Sequence, residues 1–229
     1  MTAPLTIAID GPSGSGKSSV SRAVARRLGV GYLDTGAMYR ALTWWCLERD
    51  LDLTDADAVA AAARELPLEI GTDPDAPTVS VGGTDVSAAI RTTEVSTAVS
   101  AVATNLGVRP VLQQLQRDLM ARIADRTGGV VAEGRDITTV VAPDARVRVL
   151  LTASEEARLR RRSAELHGTS DASAVAATRD QVVRRDRDDS TVSTFTEAAD
   201  GVVLVDTSEL DLDASIEAVL DVVASETTE

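Results

Sequence analysis

The stretch LTIAIDGPSGSGKSSV, residues 5–20, decides the architecture. Leu5 to Asp10 is a short β-favouring run that stops at a glycine loop, and from Ser18 onward Val20, Ala23, Val24 and Leu28 fall on one helical face. The order is strand, loop, helix. Between strand and helix, Gly11-Pro12-Ser13-Gly14-Ser15-Gly16-Lys17-Ser18-Ser19 contains the pattern of a glycine, four residues, then Gly-Lys-Ser/Thr. Glycines let the backbone turn its N–H groups inward around an anion, and the helix N-terminus adds a favourable dipole. In such a loop Lys17 bridges the β- and γ-phosphates of ATP and Ser18 holds Mg²⁺.

The basic residues single out the same loop. Of the 23 Lys and Arg residues, Lys17 is the only lysine. Mutational bias explains arginine on a surface, but not one surviving ammonium. A compact three-donor group fits inside the loop where a planar guanidinium does not.

Working outward, Met38, Ala41, Leu42 and Trp45 predict a helix over residues 36–48, with Asp34 and Thr35 able to cap it and Arg40 in its early turns. The pieces PLEIG and PTVSVGG, within residues 66–88, suggest a small antiparallel insertion. A helix over 109–125 precedes strands at 130–132, 147–151 and 202–205. Strands alternating with helices imply an α/β fold, a parallel sheet with helices on both faces. The Arg-dense stretch 155–190 has little apolar periodicity after Leu166 and reads as a mobile lid, and 212–223 reads as a closing amphipathic helix.

At 229 residues the chain suits a single domain, 1–229, with lobes. Hydrophobic residues make up 44% and only Tyr32, Tyr39, Trp44, Trp45 and Phe195 are aromatic, so the core is built from Val, Ala, Leu and Ile. The Ala/Val run at 58–63 is far below the roughly 20 residues that span a bilayer, and the first residues carry no basic n-region, so a cytoplasmic protein is expected. Cys46, the single cysteine, forms no internal disulfide and reads as core. A net charge of −13 argues against a nucleic acid polymer or an anionic membrane as partner. Any polyanion must meet a local basic pocket.

A guanine-nucleotide switch needs a second lysine for its base-reading motif, and the apolar run ending in Asp-Glu of motor ATPases is absent. Arg40, Arg91, Arg109, Arg135 and the arginines from Arg158 to Arg187 form a second phosphate-sized set instead. Two such subsites suggest a donor and a phosphorylated acceptor.

Leu33-Asp34-Thr35-Gly36-Ala37-Met38-Tyr39-Arg40, Glu133-Gly134-Arg135-Asp136, and Arg185-Asp186 followed by Asp189-Ser190 join the loop in a pattern that resembles the bacterial cytidylate kinases. The resemblance runs in family order from residue 5 to about 207. It implies a P-loop kinase core whose insertion, about 66–99, belongs to the nucleoside-monophosphate lobe, and transfer from Mg-ATP to CMP and dCMP. By it, Ser100, Arg109 and Asp136 contact cytosine, Thr35, Arg40 and Arg135 hold the acceptor phosphate, and Arg185 and Asp189 hold the sugar hydroxyls. A monomer is expected by analogy.

Two positions depart from the family pattern. Val192 stands where an arginine is common, leaving Arg162, Arg184 and Arg187 as candidates to supply its contact, and Glu133 stands where some members have Asp. An already anionic acceptor needs no strong base, and His167, the only histidine, reads as a solvated lid residue. Catalysis is then alignment and charge stabilisation, with Lys17, Arg135, Arg185 and Arg162 closing on the phosphoryl group. Rival readings are a P-loop kinase for another acceptor, an ATP sensor, and a relative whose acceptor site has drifted.

Overall fold

In the computed structural model, which describes residues 4–169 and 171–228, the β-favouring run forms β1 (Leu5–Asp10) at the centre of a sheet. Its neighbours are β2 (Gly31–Asp34), β6 (Gly129–Gly134), β7 (Val147–Thr152) and β8 (Val203–Asp206). The order is β2-β6-β1-β7-β8 and every pairing is parallel. All five strands therefore end on the same edge, where loops gather.

Alternation along β1 splits the core into two layers. Ile7 and Ile9 pack with Val20 and Val24 of α1 (Lys17–Leu28) and Ile216 and Val219 of α8 (Leu212–Thr227). Ala8 faces the other way, with Leu33, Met38 of α2 (Thr35–Leu47) and Ile123 of α5 (Val108–Thr127). Between β2 and α5 the added Cβ of any residue at Gly31 would lie 2.1 Å from Ile123 Cγ2, so the close approach requires glycine. Cys46 is fully buried, as expected of a core residue.

The insertion contains β3 (Leu68–Ile70), β4 (Val79–Val81) and β5 (Thr84–Asp85) in an antiparallel sheet. Its apolar side packs on Ala37 and Ala41 of α2 through Val79, Val81 and Ile90. The loop after β3 covers the outer edge of the main sheet, where the Tyr32 N–H donates to Thr72 O at 2.9 Å. Pairing that N–H blunts an exposed strand edge.

Absent from the sequence reading are β2, α3 (Ala56–Glu65), α4 (Thr93–Ala103) and two short helical turns, Ala89–Arg91 and Ile137–Val141. The Ala/Val run at 58–63 is thus the body of α3, which joins α2, α4 and α5 in a further cluster around Leu42, Val59, Val102 and Leu112. The stretch read as a lid is two helices, α6 (Glu155–His167) and α7 (Ala172–Asp189), capped by Ser154 and Asp171. The His167 side chain lies outside the described residues. No helix among the described residues is long and apolar enough to cross a membrane.

Leu42 is fully buried where α2 meets the helices around the insertion. Leu42→Ala should cost about 2–5 kcal/mol through lost burial and a residual cavity. Urea unfolding monitored by circular dichroism should show a lower midpoint with an unchanged slope.

Candidate active site

At the sheet edge where β1 ends, the glycine loop turns on three residues with positive φ, Gly11 at 154°, Gly14 at 78° and Gly16 at 92°. A Cβ at Gly11 would lie 2.1 Å from the Leu151 carbonyl oxygen, so the loop lies directly on β7. Gly11, Pro12 and Ser15 are buried supports, while Ser13, Gly14, Gly16, Lys17, Ser18 and Ser19 line a cleft of about 390 Å³. Lys17 Nζ donates to the Pro12 carbonyl at 3.0 Å. Enclosure lowers its pKa to about 8 against the opposing pull of Glu133.

Lining the same cleft as Lys17 are Arg40 from α2, Arg91, Arg135 just after β6, Arg162 from α6 and Arg185 from α7. Carboxylates pair with Arg40, Arg91, Arg135 and Arg185. Asp34, which also caps α2 through the Ala37 N–H, accepts from Arg40 at 2.9 Å and has Arg91 at 3.8 Å. Burial alone would push the Asp34 carboxyl up, but Arg40 and the cap bring it below its ordinary value. Asp189 lies 2.9 Å from Arg135 and 3.7 Å from Arg185. Burial and the nearby Arg135 drop Arg185 to about 9. Buried Arg40 Nε, Arg185 Nε and Asp189 Oδ1 have no hydrogen-bond partner among the described residues, which leaves donors and an acceptor for a ligand.

A smaller cavity of about 60 Å³ opens from the same walls, sharing Gly36, Gly134, Arg135 and Arg185. Thr35, Tyr39, Val99, Ala103, Arg109, Asp136 and Asp189 also line it. Arg109 donates to Asp136 at 2.7 Å and Gln113 donates to the same oxygen at 2.8 Å. The cavity thus offers the apolar groups of Tyr39, Val99 and Ala103 beside a fixed ion pair. Thr35 is turned partly to the fold, its hydroxyl donating to the Glu133 carbonyl at 2.7 Å. Ser100, flanked on α4 by the lining residues Val99 and Ala103 in sequence, is half-buried and does not line either cavity.

Several residues of the site escaped sequence reasoning. Asp34 was legible only as a helix cap, although its second oxygen carries Arg40. Phe195 stacks under Arg135, with the guanidinium 4.5 Å from the ring centroid, and nothing in an isolated Ser-Thr-Phe-Thr string marks it. Ser96 lines the main cleft, one turn before Ser100. Tyr32 donates to the buried Glu133 carboxylate at 2.5 Å, and burial beside Asp34 raises the Glu133 pKa.

A phosphate loop at the carboxyl edge of a parallel sheet, opposite a second arginine-lined site, defines a P-loop phosphotransferase. The chain belongs to the cytidylate kinase family, whose model matches residues 7–225, and is a nucleoside monophosphate kinase of that family. The cytidylate kinase of Streptomyces avermitilis is 51% identical over 218 residues, covering 95% of this chain and 91% of that protein. That of Cutibacterium acnes is 51% identical over 224 residues, 97% of each chain. The crystal structure of an uncharacterized protein from Eubacterium ventriosum covers 96% of this chain and 99% of its own, with 11% identity and a TM-score of 0.50, a likeness of fold alone.

Lys17 generates a pH prediction. Its lowered pKa means that the folded chain releases a proton near pH 8 that the unfolded chain keeps to about 10.5, so this group adds stability as pH rises between those values. Phosphate binding needs the ammonium, so ATP affinity should fall above about pH 8, by up to about tenfold per pH unit. Calorimetry in buffers of different ionisation enthalpy should show proton uptake on ATP binding near pH 9, and Lys17→Met should abolish it.

Proposed function

We propose that the chain transfers the γ-phosphoryl group of ATP to CMP and dCMP, as a cytoplasmic monomer with the whole chain forming one kinase unit. The insertion at about 66–99 serves the acceptor and the segment at about 155–190 serves as lid. The observation that carries this reading is the pair of linked cavities, one with the glycine loop and arginines, the other with the Arg109–Asp136 pair at its wall.

ATP is bound with its phosphates on the glycine loop, where Lys17 turns from the Pro12 carbonyl to the β- and γ-phosphate oxygens. The acceptor phosphate lies between Arg40, Arg135 and Arg185, with Thr35 at its edge. Arg185 and Asp189 reach the sugar hydroxyls. Cytosine enters the smaller cavity, where the acceptor-only Asp136 carboxylate receives the ring's amino group and Arg109 donates to its carbonyl. Ser100 contributes only if α4 turns slightly as the insertion closes. A uracil would set its carbonyl oxygen against a carboxylate oxygen of Asp136 with no proton between the two acceptors, a contact that costs heavily.

In the reaction the acceptor phosphate oxygen attacks the γ-phosphorus in line as the bond to the β-phosphate oxygen breaks. Lys17, Arg135, Arg185 and Arg162 neutralise the charge spread over the phosphoryl oxygens. Arg91 and Arg162, both in the cleft, supply positive charge that Val192 lacks. Ser18 and Glu133, hard oxygen donors that line the same cleft, make a set that suits Mg²⁺. Bound there, Mg²⁺ would neutralise phosphate charge and orient the chain of phosphates.

Formation of ADP from Mg-ATP, measured with CMP, dCMP, UMP and AMP separately, should show strong turnover with the two cytidine nucleotides alone. Lys17→Ala should lower that turnover about a thousandfold or more, and Arg109→Met should raise the CMP KM about tenfold or more with little change for ATP. Turnover with another acceptor would discard the cytosine assignment. Tight ATP binding with no product from any acceptor would favour a sensor.

A further inference from the structure

None of the roles above uses Asp186, yet the donor loop, both lid helices and the acceptor side meet at its carboxylate. Asp186 Oδ1 accepts the Ser13 N–H at 3.1 Å and Arg135 at 2.7 Å. Its Oδ2 accepts from Arg158 at 2.5 Å, and the same Arg158 nitrogen donates to the Ser13 carbonyl at 2.9 Å. Ser13 is thereby gripped at both its N–H and its C=O, by α7 through Asp186 and by α6 through Arg158.

The contact extends to the backbone. A Cβ at Gly14 would lie 2.6 Å from the Arg158 carbonyl oxygen, so α6 rests on the glycine loop with no side chain between them. The junction is well enclosed, with the side chains of Arg135, Arg158 and Asp186 exposed by only 15%, 13% and 13%. Enclosure would push the Asp186 carboxyl up, but Arg135, the Ser13 N–H and Arg158 hold it below the ordinary carboxylate range. Charge-assisted bonds in such surroundings are stronger than their exposed counterparts.

Arg135 stands between two carboxylates of α7 that are three residues apart, Asp186 and Asp189, over the Phe195 ring. Asp189 sets it toward the acceptor cavity and Asp186 ties it to the donor loop. We propose that Asp186 is a positioning residue that couples lid closure to the alignment of Arg135, fixing the guanidinium that meets the acceptor phosphate relative to the loop that holds the donor. An open lid breaks the Ser13 grip and releases Arg135 on one side. Closure restores both at once and shuts water from the phosphoryl group.

This inference rests on the CMP kinase reading, so the wild-type chain is assayed first. Without CMP turnover in the wild type, that reading fails and the inference falls with it. With turnover, Asp186→Asn keeps the shape and removes the charge. Its kcat should fall about 10- to 100-fold while the KM values for ATP and CMP stay within about threefold. ADP released without acceptor should rise relative to CDP formed, a leak that simple loss of folded protein does not produce. On an Arg158→Met background the same change should cost much less, because the two groups act as one unit. Asp186→Glu, which keeps the charge, should recover part of the coupling. Wild-type kcat and coupling in Asp186→Asn would overturn the inference. So would losses that follow the folded fraction in thermal unfolding and are equally large in Asp186→Glu.

Discussion

One buried carboxylate holds the two halves of the site in register. Asp10, the last residue of β1, accepts the backbone N–H groups of Ile137 at 3.0 Å and Thr138 at 2.7 Å, and the Thr138 hydroxyl at 2.7 Å. Those two N–H groups open a short π-helical turn, Ile137–Val141, and the first N–H groups of any helix lack partners within it. Burial pushes Asp10 to about 6, with the three donors opposing, so the carboxylate is ionised near neutral pH. Gly11 follows Asp10 directly and Asp136 directly precedes Ile137. The glycine loop and the Arg135–Asp136 corner are therefore fixed by the same two oxygens.

Around that anchor the chain solves a second electrostatic difficulty, the storage of several guanidinium groups in one cleft. An isolated cluster of cations would repel itself and pay for desolvation besides. Here each of the main arginines is held against a carboxylate: Arg40 with Asp34, Arg109 with Asp136, Arg135 with Asp186 and Asp189, and Arg158 with Asp186. A net charge of −13 is compatible with a polyanion site because the positive charge is local and already oriented. A ligand phosphate then meets donors preset in direction and has only to share them.

The legible parts of this design are those written in contiguous residues. The glycine loop could be read because its geometry needs Gly and Lys at fixed spacing, and the structure places it between β1 and α1. The antiparallel insertion could be read from its turn residues. By contrast, β2 is only Gly31–Asp34, too short for a period, and takes its stability from pairing with β6. The segment 155–190 showed little apolar periodicity after Leu166 although it is helical, and its helices bury charge: Arg158 and Asp186 face inward on each other where a sequence pattern would look for Leu or Val. Asp10 and Phe195 were illegible for a related reason, since their partners are remote in sequence and only folding brings them together.

The lone lysine follows from the same accounting of donors. Lys17 Nζ uses one contact on the Pro12 carbonyl, and an ammonium has two further protons to give to phosphate oxygens. A guanidinium in that place would bring five N–H donors in a rigid plane, and those that missed an oxygen would be buried without partners. On the surface and in the carboxylate-lined cleft this restriction does not apply, because water or a fork of carboxylate oxygens satisfies the extra donors. In a chain that otherwise uses arginine for every basic position, the loop is where the number and direction of donors decide the residue.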